Sequence, residues 1–503
     1  MNHSLPKQKQ PPVKLSNSCA SIIGYIRFYL PVILFSCLTF AAHAQTVDTN
    51  KLVIPILRDS SKNSTAEYLT LKQCIDYSLI HQPGLNQSLI NIDIAKTTNA
   101  ITLSSWLPQV NATGDAIHYI QQSAYGAAVV GGSTTTTTGT TGTGTTGTTT
   151  TGTGSGSSER NSPGNSFIPE LTVSQAIFSP SLFYAAKSAP LLVKQAQQVT
   201  DSTKIYLVSA VSKSYYNVLL TLEQINVLKE DTARLGKNLR DAYHQYVGGI
   251  VDETDYEEAE ISLNNSNASL KQANENIVPL YASLKQLMGY PPEKQFNVSF
   301  DTLQMKEGIN IDTTQQLQYQ KRIEFQQLRT QMDIQSEVIN YYKVAFLPTV
   351  SAFYNYDLAY ENNRVNDLFS TSYPSSLIGL SISIPIFTGF SRLHNLHKAQ
   401  LQEQLLDWQQ VDLKSQIYTQ YTTALASYKG NYYNLQMLQK NVALAKRTYF
   451  VVDLQYKQGI VAYLNVITAE SNLISSEISY LNALFQVLSN KIDLEKSMGD
   501  ITY

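Results

Sequence analysis

The side chains that could do chemistry are few and scattered. His394 and His397 sit three residues apart, a spacing that could present two imidazoles to a metal from one helix face. No cysteine or acidic residue lies beside them to complete a ligand set, so solvated helix surface is the better reading of both. Glu260 and Glu470 occupy matched places in two similar stretches, but a glutamate repeated on a helix surface caps or pairs more often than it catalyses. Gly142, Gly144 and Gly147 spell a G-x-G-x-x-G pattern, yet no strand precedes it and no helix follows, so it is a chance match. No Walker loop, nucleophile motif or convergent set of carboxylates is present. The expectation is a protein that is not an enzyme and that carries no metal and no cofactor.

What the chain does repeat is a stretch of structure. "QYVGGIVDETDYEEAEISLNNS" from Gln245 returns as "QYKQGIVAYLNVITAESNLISS" from Gln455, and over residues 245–289 and 455–499 the two align without a gap at 14 of 45 identical positions. Tyr246 matches Tyr456, Gly249-Ile250-Val251 matches Gly459-Ile460-Val461, and Met288-Gly289 matches Met498-Gly499. Upstream, Leu107-Pro108 pairs with Leu347-Pro348 and Ile177-Phe178 with Ile386-Phe387. Duplication accounts for all of these, with a first repeat over 67–303 and a second over 304–503.

The excess length of the first repeat lies in a Thr/Gly tract at 131–158, which has no aliphatic, aromatic or charged residue and so little to offset its ordering entropy; a mobile loop is expected. Residues 1–44 combine Lys7, Lys9, Lys14 and Arg27 with an apolar run from Leu30 to Phe40 and then Ala42-His43-Ala44, the pattern of a cleaved export signal followed by a linker over 45–66. Lipidation at Cys37 is the rival reading. Removing the signal leaves 33 of the 37 basic residues against 39 acidic ones, net −6, which speaks against nucleic acid as a partner. Only Cys74 survives processing, so no internal disulfide is available.

Each half carries two segments of period-two alternation. In "LIGLSISIPIF" Ile378, Leu380, Ile382, Ile384 and Ile386 share one face, and in "TVSAFYNYDLAY" Val350, Ala352, Tyr354, Tyr356, Leu358 and Tyr360 do. Strands are expected over 107–121, 167–178, 347–360 and 376–387, long enough to cross a membrane at a tilt. Long helices follow, because no proline occurs between Pro190 and Pro279 and none after Pro385. Leu464, Ile467, Ser471, Ile474, Ile478, Leu481, Phe485, Leu488 and Ile492 form a coiled-coil seam, and Leu473, Tyr480, Val487 and Leu494 form a second stripe matched by Leu263, Leu270, Ile277 and Leu284. Two seams on one helix call for a neighbour on each side. Gly249 and Gly459 are expected to end long helices in a left-handed cap, with Asp252, Glu253 and Asp255 opening the first return helix. The stretch is therefore present twice as the tip of an antiparallel helical hairpin, at 246–256 and 456–466.

This order closely resembles the TolC family of outer-membrane channel proteins over essentially the whole mature chain. The residues that carry the resemblance are the two Leu-Pro pairs before strands, "IFTGF" from Ile386 to Phe390, and Tyr-x-x-Gly at Tyr246–Gly249 and Tyr456–Gly459. The resemblance implies a mainly α fold with a membrane β-barrel portion, assembled as a homotrimer whose 12-strand β-barrel continues into a 12-helix α-barrel. It implies an outer-membrane location with extension into the periplasm. The function it implies is passive export of small molecules or polypeptides, with a periplasmic adaptor and an inner-membrane transporter as partners. An exported coiled-coil stalk or adhesin stays open as the alternative.

In such relatives a tyrosine and an arginine of the second tip bond to a Thr-Asp pair of the first and hold the periplasmic entrance closed, and two aspartates of the second tip ring the pore. By position Tyr456 and Thr254-Asp255 match, Val461 stands where the arginine would be, and Asn465 and Thr468 stand where the aspartates would be. The resemblance thus implies a latch from Tyr456 to Asp255, with Tyr456 packed beneath the helix cap as the alternative, and argues against a cation-binding acidic ring.

Overall fold

The computed structural model describes residues 67–120, 164–299, 309, 311 and 315–503. The export signal, Cys37, the linker and the Thr/Gly tract lie outside the described residues. In chain order the elements are β1 (Glu67–Leu69), α1 (Leu71–His81), α2 (Pro83–Ser104), β2 (Gln109–His118), β3 (Asn165–Phe178), α3 (Pro180–Val247), α4 (Glu253–Met288) and β4 (Phe296–Val298). They continue as α5 (Ile323–Val344), β5 (Thr349–Asn362), β6 (Ser372–Ser383), α6 (Ser391–Lys457) and α7 (Tyr463–Met498). Helix, strand pair and helical hairpin thus occur twice. At 68 and 67 residues, α3 and α6 are each about 100 Å long at a rise of about 1.5 Å per residue. No described helix is long and apolar enough to cross a membrane.

The four long strands form one antiparallel sheet in the order β2-β3-β5-β6. Its register sorts side chains into rows across all four strands. Val110, Val173, Tyr354 and Ile378 make one row, while Thr113, Glu170, Asp357 and Ser375 make a row on the other face. One face is apolar and exposed, with Ile378 at 80% and Leu380 at 67%, and the opposite face carries hydroxyls, amides and carboxylates. A soluble sheet hides its apolar face; this one presents it.

The strands differ from their expected bounds at the ends. β2 starts at Gln109 because the turn at Ser105–Trp106 that closes α2, with Leu107 N–H on Ser104 O, places Leu107-Pro108 between helix and strand. β6 runs from Ser372 and stops at Ser383, and Pro385, with no N–H to donate, leaves Ile384–Phe387 as chain beyond the ladder. The two prolines that bound the proline-free stretch lie inside helices, Pro190 in α3 and Pro279 in α4. Both are on exposed faces, where the carbonyl each deprives of a partner is not stranded in a core.

The helices pack side by side. α3 meets α4, α7, α5 and α2, and α6 meets α7 and α5. α7 therefore has a neighbour on each side; the second stripe is buried at Leu473, Val487 and Leu494, whereas of the expected seam only Leu488 and Ile492 are buried and Leu464 is exposed. The matched stripe of α4 is less covered: Leu284 is buried but Leu263, Leu270 and Ile277 are half-buried, because α4 packs mainly on α3. At the base, Tyr215, Val218, Leu284 and Met288 pack with Cys74, Phe296 and Val298, while Tyr428, Val487, Leu494 and Met498 form the corresponding core of the second repeat.

The repeated Met-Gly pair has a physical role. Gly289 and Gly499 end the return helices at φ +68° and +78°, and a Cβ on either would lie 2.6 Å from the His81 carbonyl oxygen or 2.9 Å from the Lys321 carbonyl group. Gly249 and Gly459 at the tips share the left-handed φ, at +68° and +71°, but have open space around them. Substituting alanine at either tip glycine is expected to cost about 1–2 kcal/mol, the backbone term alone. At Gly289 or Gly499 the loss must be larger, since backbone has to move as well. Thermal unfolding of the four variants in detergent checks the order.

Candidate functional site

The two hairpin tips are built alike. Gly249 N–H donates to Tyr246 O at 2.9 Å and Ile250 N–H to Gln245 O at 2.9 Å, while Gly459 N–H donates to Tyr456 O at 2.8 Å and Ile460 N–H to Gln455 O at 2.9 Å. These bonds satisfy the last carbonyls of α3 and α6, and glycine supplies the left-handed residue that lets the chain turn back. Asp252 is the N-cap of α4, with Glu253 and Asp255 in its first turn, where the helix dipole favours negative charge.

A small core joins the tips. Ala242 of α3, Ala259 of α4, and Tyr463 and Val466 of α7 are buried together, flanked by Tyr256, Tyr449 and Tyr456. Tyr456 packs on Tyr463 with ring centroids 5.3 Å apart, and its hydroxyl donates to Gln245 Oε1 at 2.8 Å. The hydrogen bond expected to reach Asp255 is thus made to the last turn of α3 instead. Asp255 is still close: burial, then the charges of Asp255 and Asp241, push the Tyr456 phenol up to about 12, so it stays a proton donor. Tyr456 both packs beneath the cap and ties one tip to the other.

The other expected residues are more peripheral. Tyr246 stacks at a tilt on Tyr256, centroids 5.1 Å apart. Thr254 is exposed, the Asn465 side chain turns back to Ala462 O at 3.4 Å, and Thr468 Oγ1 bonds Leu464 O of its own helix at 2.8 Å. Neither Asn465 nor Thr468 supplies a carboxylate. His394 and His397 are exposed on α6.

About two to four turns above the tips lies a cluster that sequence reasoning missed. Glu470, expected on a helix surface, is 2% exposed, and Asp231 is 1% exposed. Between them Arg234 donates from Nε to Glu470 Oε1 and from Nη2 to Asp231 Oδ1, each at 3.3 Å. Asn238 Nδ2 donates to Glu470 Oε2 at 3.1 Å, and Ser266 Oγ to Asp231 Oδ2 at 2.6 Å. Its matched residue Glu260 is exposed, so duplication kept the residue type but not its place. Asp231 and Arg234, three apart on a helix, look in sequence like any solvated pair. Tyr463, also missed, is buried with its hydroxyl unpartnered among the described residues. Ser262, Ser266 and Ser269 of α4 and Ser471, Ser475 and Ser479 of α7 line a groove of about 600 Å³ with Asp231 and Glu470 among its walls. Leu228, Leu235, Ile467, Ile474 and Ile478 line it as well, so its wall is mixed polar and apolar.

Two buried carboxylates share one guanidinium, and the electrostatics follow. Burial and the neighbouring Asp231 raise the Glu470 carboxyl from 4.5 to about 7, against the pull of Arg234. Burial raises Asp231 as well. The native state therefore keeps a proton on Glu470 that the unfolded chain has released, so this group's contribution to stability declines as pH rises from 4.5 to about 7. Glu470→Gln keeps a polar group of similar shape and removes that decline. Its stability relative to the parent is expected to improve between about pH 5 and pH 8, as read from thermal midpoints. Arg234→Ala strands both carboxylates and should cost about 3–5 kcal/mol by the same assay.

A family model for outer membrane efflux protein matches residues 74–290 and 314–500, one segment in each half. The outer membrane protein TolC of Vibrio cholerae is 19% identical over 342 residues, 66% of this chain and 76% of its own length. The cation efflux system protein CusC of Escherichia coli is 22% identical over 363 residues, 69% of this chain and 77% of that protein. Among solved structures, the outer membrane protein VceC of Vibrio cholerae superposes with a TM-score of 0.66 at 14% identity, covering 85% of this chain and 96% of that one. The family match covers both repeats, and the superposition takes in most of the chain. The chain belongs to the outer membrane efflux protein family, as a TolC-like outer-membrane channel protein that reaches into the periplasm.

Proposed function

We propose that three copies close into a passive conduit, the outer-membrane component of a tripartite efflux or type I secretion assembly. The observation that carries this reading is the sheet. Its apolar face is exposed, and its outer strands β2 and β6 have no partner beyond β3 and β5 among the described residues. An unpaired edge cannot be left in lipid, since each unsatisfied amide there costs several kcal/mol. Four strands are too few to close on themselves, whereas three copies supply 12. The row of Thr113, Glu170, Asp357 and Ser375 then faces a water-filled lumen.

The helices support the same assembly. Ile90, Ile94 and Ile101 are exposed on α2, and Leu401, Leu405 and Trp408 are exposed on α6, apolar stripes of the kind that meet between neighbouring copies. Twelve long helices would continue the barrel across the periplasm. The hairpin tips, with Tyr246, Gly249, Thr254, Asp255, Tyr456, Gly459, Asn465 and Thr468, would form the entrance that a periplasmic adaptor and an inner-membrane pump engage. The pump would supply the energy and choose the cargo, small molecules or polypeptides. A latch at this entrance is read as Tyr456 bonded to Gln245, with Asp255 beside it.

Single-channel recording in a planar bilayer, with oligomer mass measured in parallel, tests the proposal. A trimer that inserts and conducts is expected. Tyr456→Phe and Gln245→Leu should each raise the open fraction, and Trp408→Asp should abolish the trimer. A monomer or dimer that never inserts would favour an exported stalk instead.

A further inference from the structure

Both repeats turn a corner from strand to long helix, and they do it differently. In the first, Ser179 is extended at φ −145° and Pro180 opens α3, with no residue in the left-handed region. In the second, Gly389 and Phe390 are both at φ +60°, and Phe390 is the only non-glycine residue with positive φ among the described residues. For a side chain of this size that conformation is strained. The first repeat makes the same corner without it, so the architecture does not impose the strain.

What the strained corner achieves is the position of a ring. Phe390 is 63% exposed and meets Phe387, 75% exposed, edge to face with centroids 5.6 Å apart. Both rings stay largely uncovered, so nothing within the described chain repays the backbone strain. They continue the exposed apolar series Ile378, Leu380, Ile382, Ile384 and Ile386 just past the end of β6. Alongside, the Arg392 guanidinium sits over Phe346 at 6.0 Å, with Nη1 3.5 Å from Pro385 O, and brings a fixed positive charge to the same rim.

We infer that Phe390, with Phe387 and Arg392, is a lipid-binding corner: the two rings seat among the upper acyl chains of a phospholipid in the periplasmic leaflet, and its phosphate faces Arg392. Aromatic rings belong at this level of a membrane barrel, and guanidinium is suited to phosphate. The corner is continuous with the face that the proposed barrel turns to lipid, and the inference rests on that reading. It makes the two corners of each chain unequal, so that in a trimer three of six would hold lipid tightly.

The test replaces the two native tryptophans, as Trp106→Phe and Trp408→Phe, and adds either Phe390→Trp or, as a control in mid-strand, Leu380→Trp. Each full-length protein is reconstituted into phosphatidylethanolamine/phosphatidylglycerol vesicles whose acyl chains are brominated near the glycerol or near the methyl end. Expected is quenching of both reporters, at position 390 at least twofold stronger by the shallow bromines. If the control is quenched and position 390 is not, the barrel stands and the inference fails. Quenching by aqueous acrylamide would then place the ring in water, and protection from it would place the ring against protein. If neither reporter is quenched, the barrel reading itself falls and the inference with it. Phe390→Gly relieves the backbone and removes the ring, and in lipid-free detergent its thermal midpoint should hold or rise. A fall there would show that the ring packs on protein and would overturn the lipid assignment.

Discussion

Unpaired backbone at the two edges of a four-stranded sheet is the constraint on which the rest depends. In water such an edge is a liability that a short bulge or a lysine can blunt, but in hydrocarbon only a hydrogen-bond partner satisfies it. The register makes the demand acute, because rows such as Val110, Val173, Tyr354 and Ile378 present one continuous apolar face while Thr113, Glu170, Asp357 and Ser375 present a polar one. A sheet with these two faces and two open edges fits a closed wall between lipid and water. In the proposed assembly the helices, which leave the same strands, would also stand side by side in a ring.

The helical wall carries that geometry to the tips. α3 and α6 are long because nothing in them forces a stop, and each ends where glycine can take a left-handed turn. The return helices come back to their own base, where Gly289 and Gly499 fit against backbone that any side chain would displace. The two repeats are tied by polar contacts as well as by the small apolar core at the tips. Arg234 of the first repeat holds Glu470 of the second, and Tyr456 of the second reaches Gln245 of the first.

Much of this was legible in the residues. Alternation around Ile378 to Ile386, the gapless repeat, and Tyr-x-x-Gly at the tips signalled strands, duplication and hairpins directly, since each is a local pattern with a local cause. What was hidden depends on pairing across the chain. Glu470 reads as a surface glutamate until Arg234 and Asp231, in the other repeat, are packed over it. Gln245 carries no signal as the Tyr456 acceptor, because many glutamines occupy the same helices. Pro190 and Pro279 lie within helices for a reason the sequence does not carry: a helix tolerates proline where the freed carbonyl can meet water, and exposure is a property of the fold. Phe390 stands in the sequence as the end of the IFTGF motif, and only its backbone angle shows the strained corner.

The central claim is that β2 of one copy pairs with β6 of the next. Amide hydrogen exchange on the purified protein in detergent, resolved by peptide, measures that pairing most directly. The account predicts that Gln109–His118 and Ser372–Ser383 exchange as slowly as the interior strands Asn165–Phe178 and Thr349–Asn362. Fast exchange along β2 and β6 with protection confined to β3 and β5 would mean open edges, and would contradict the barrel.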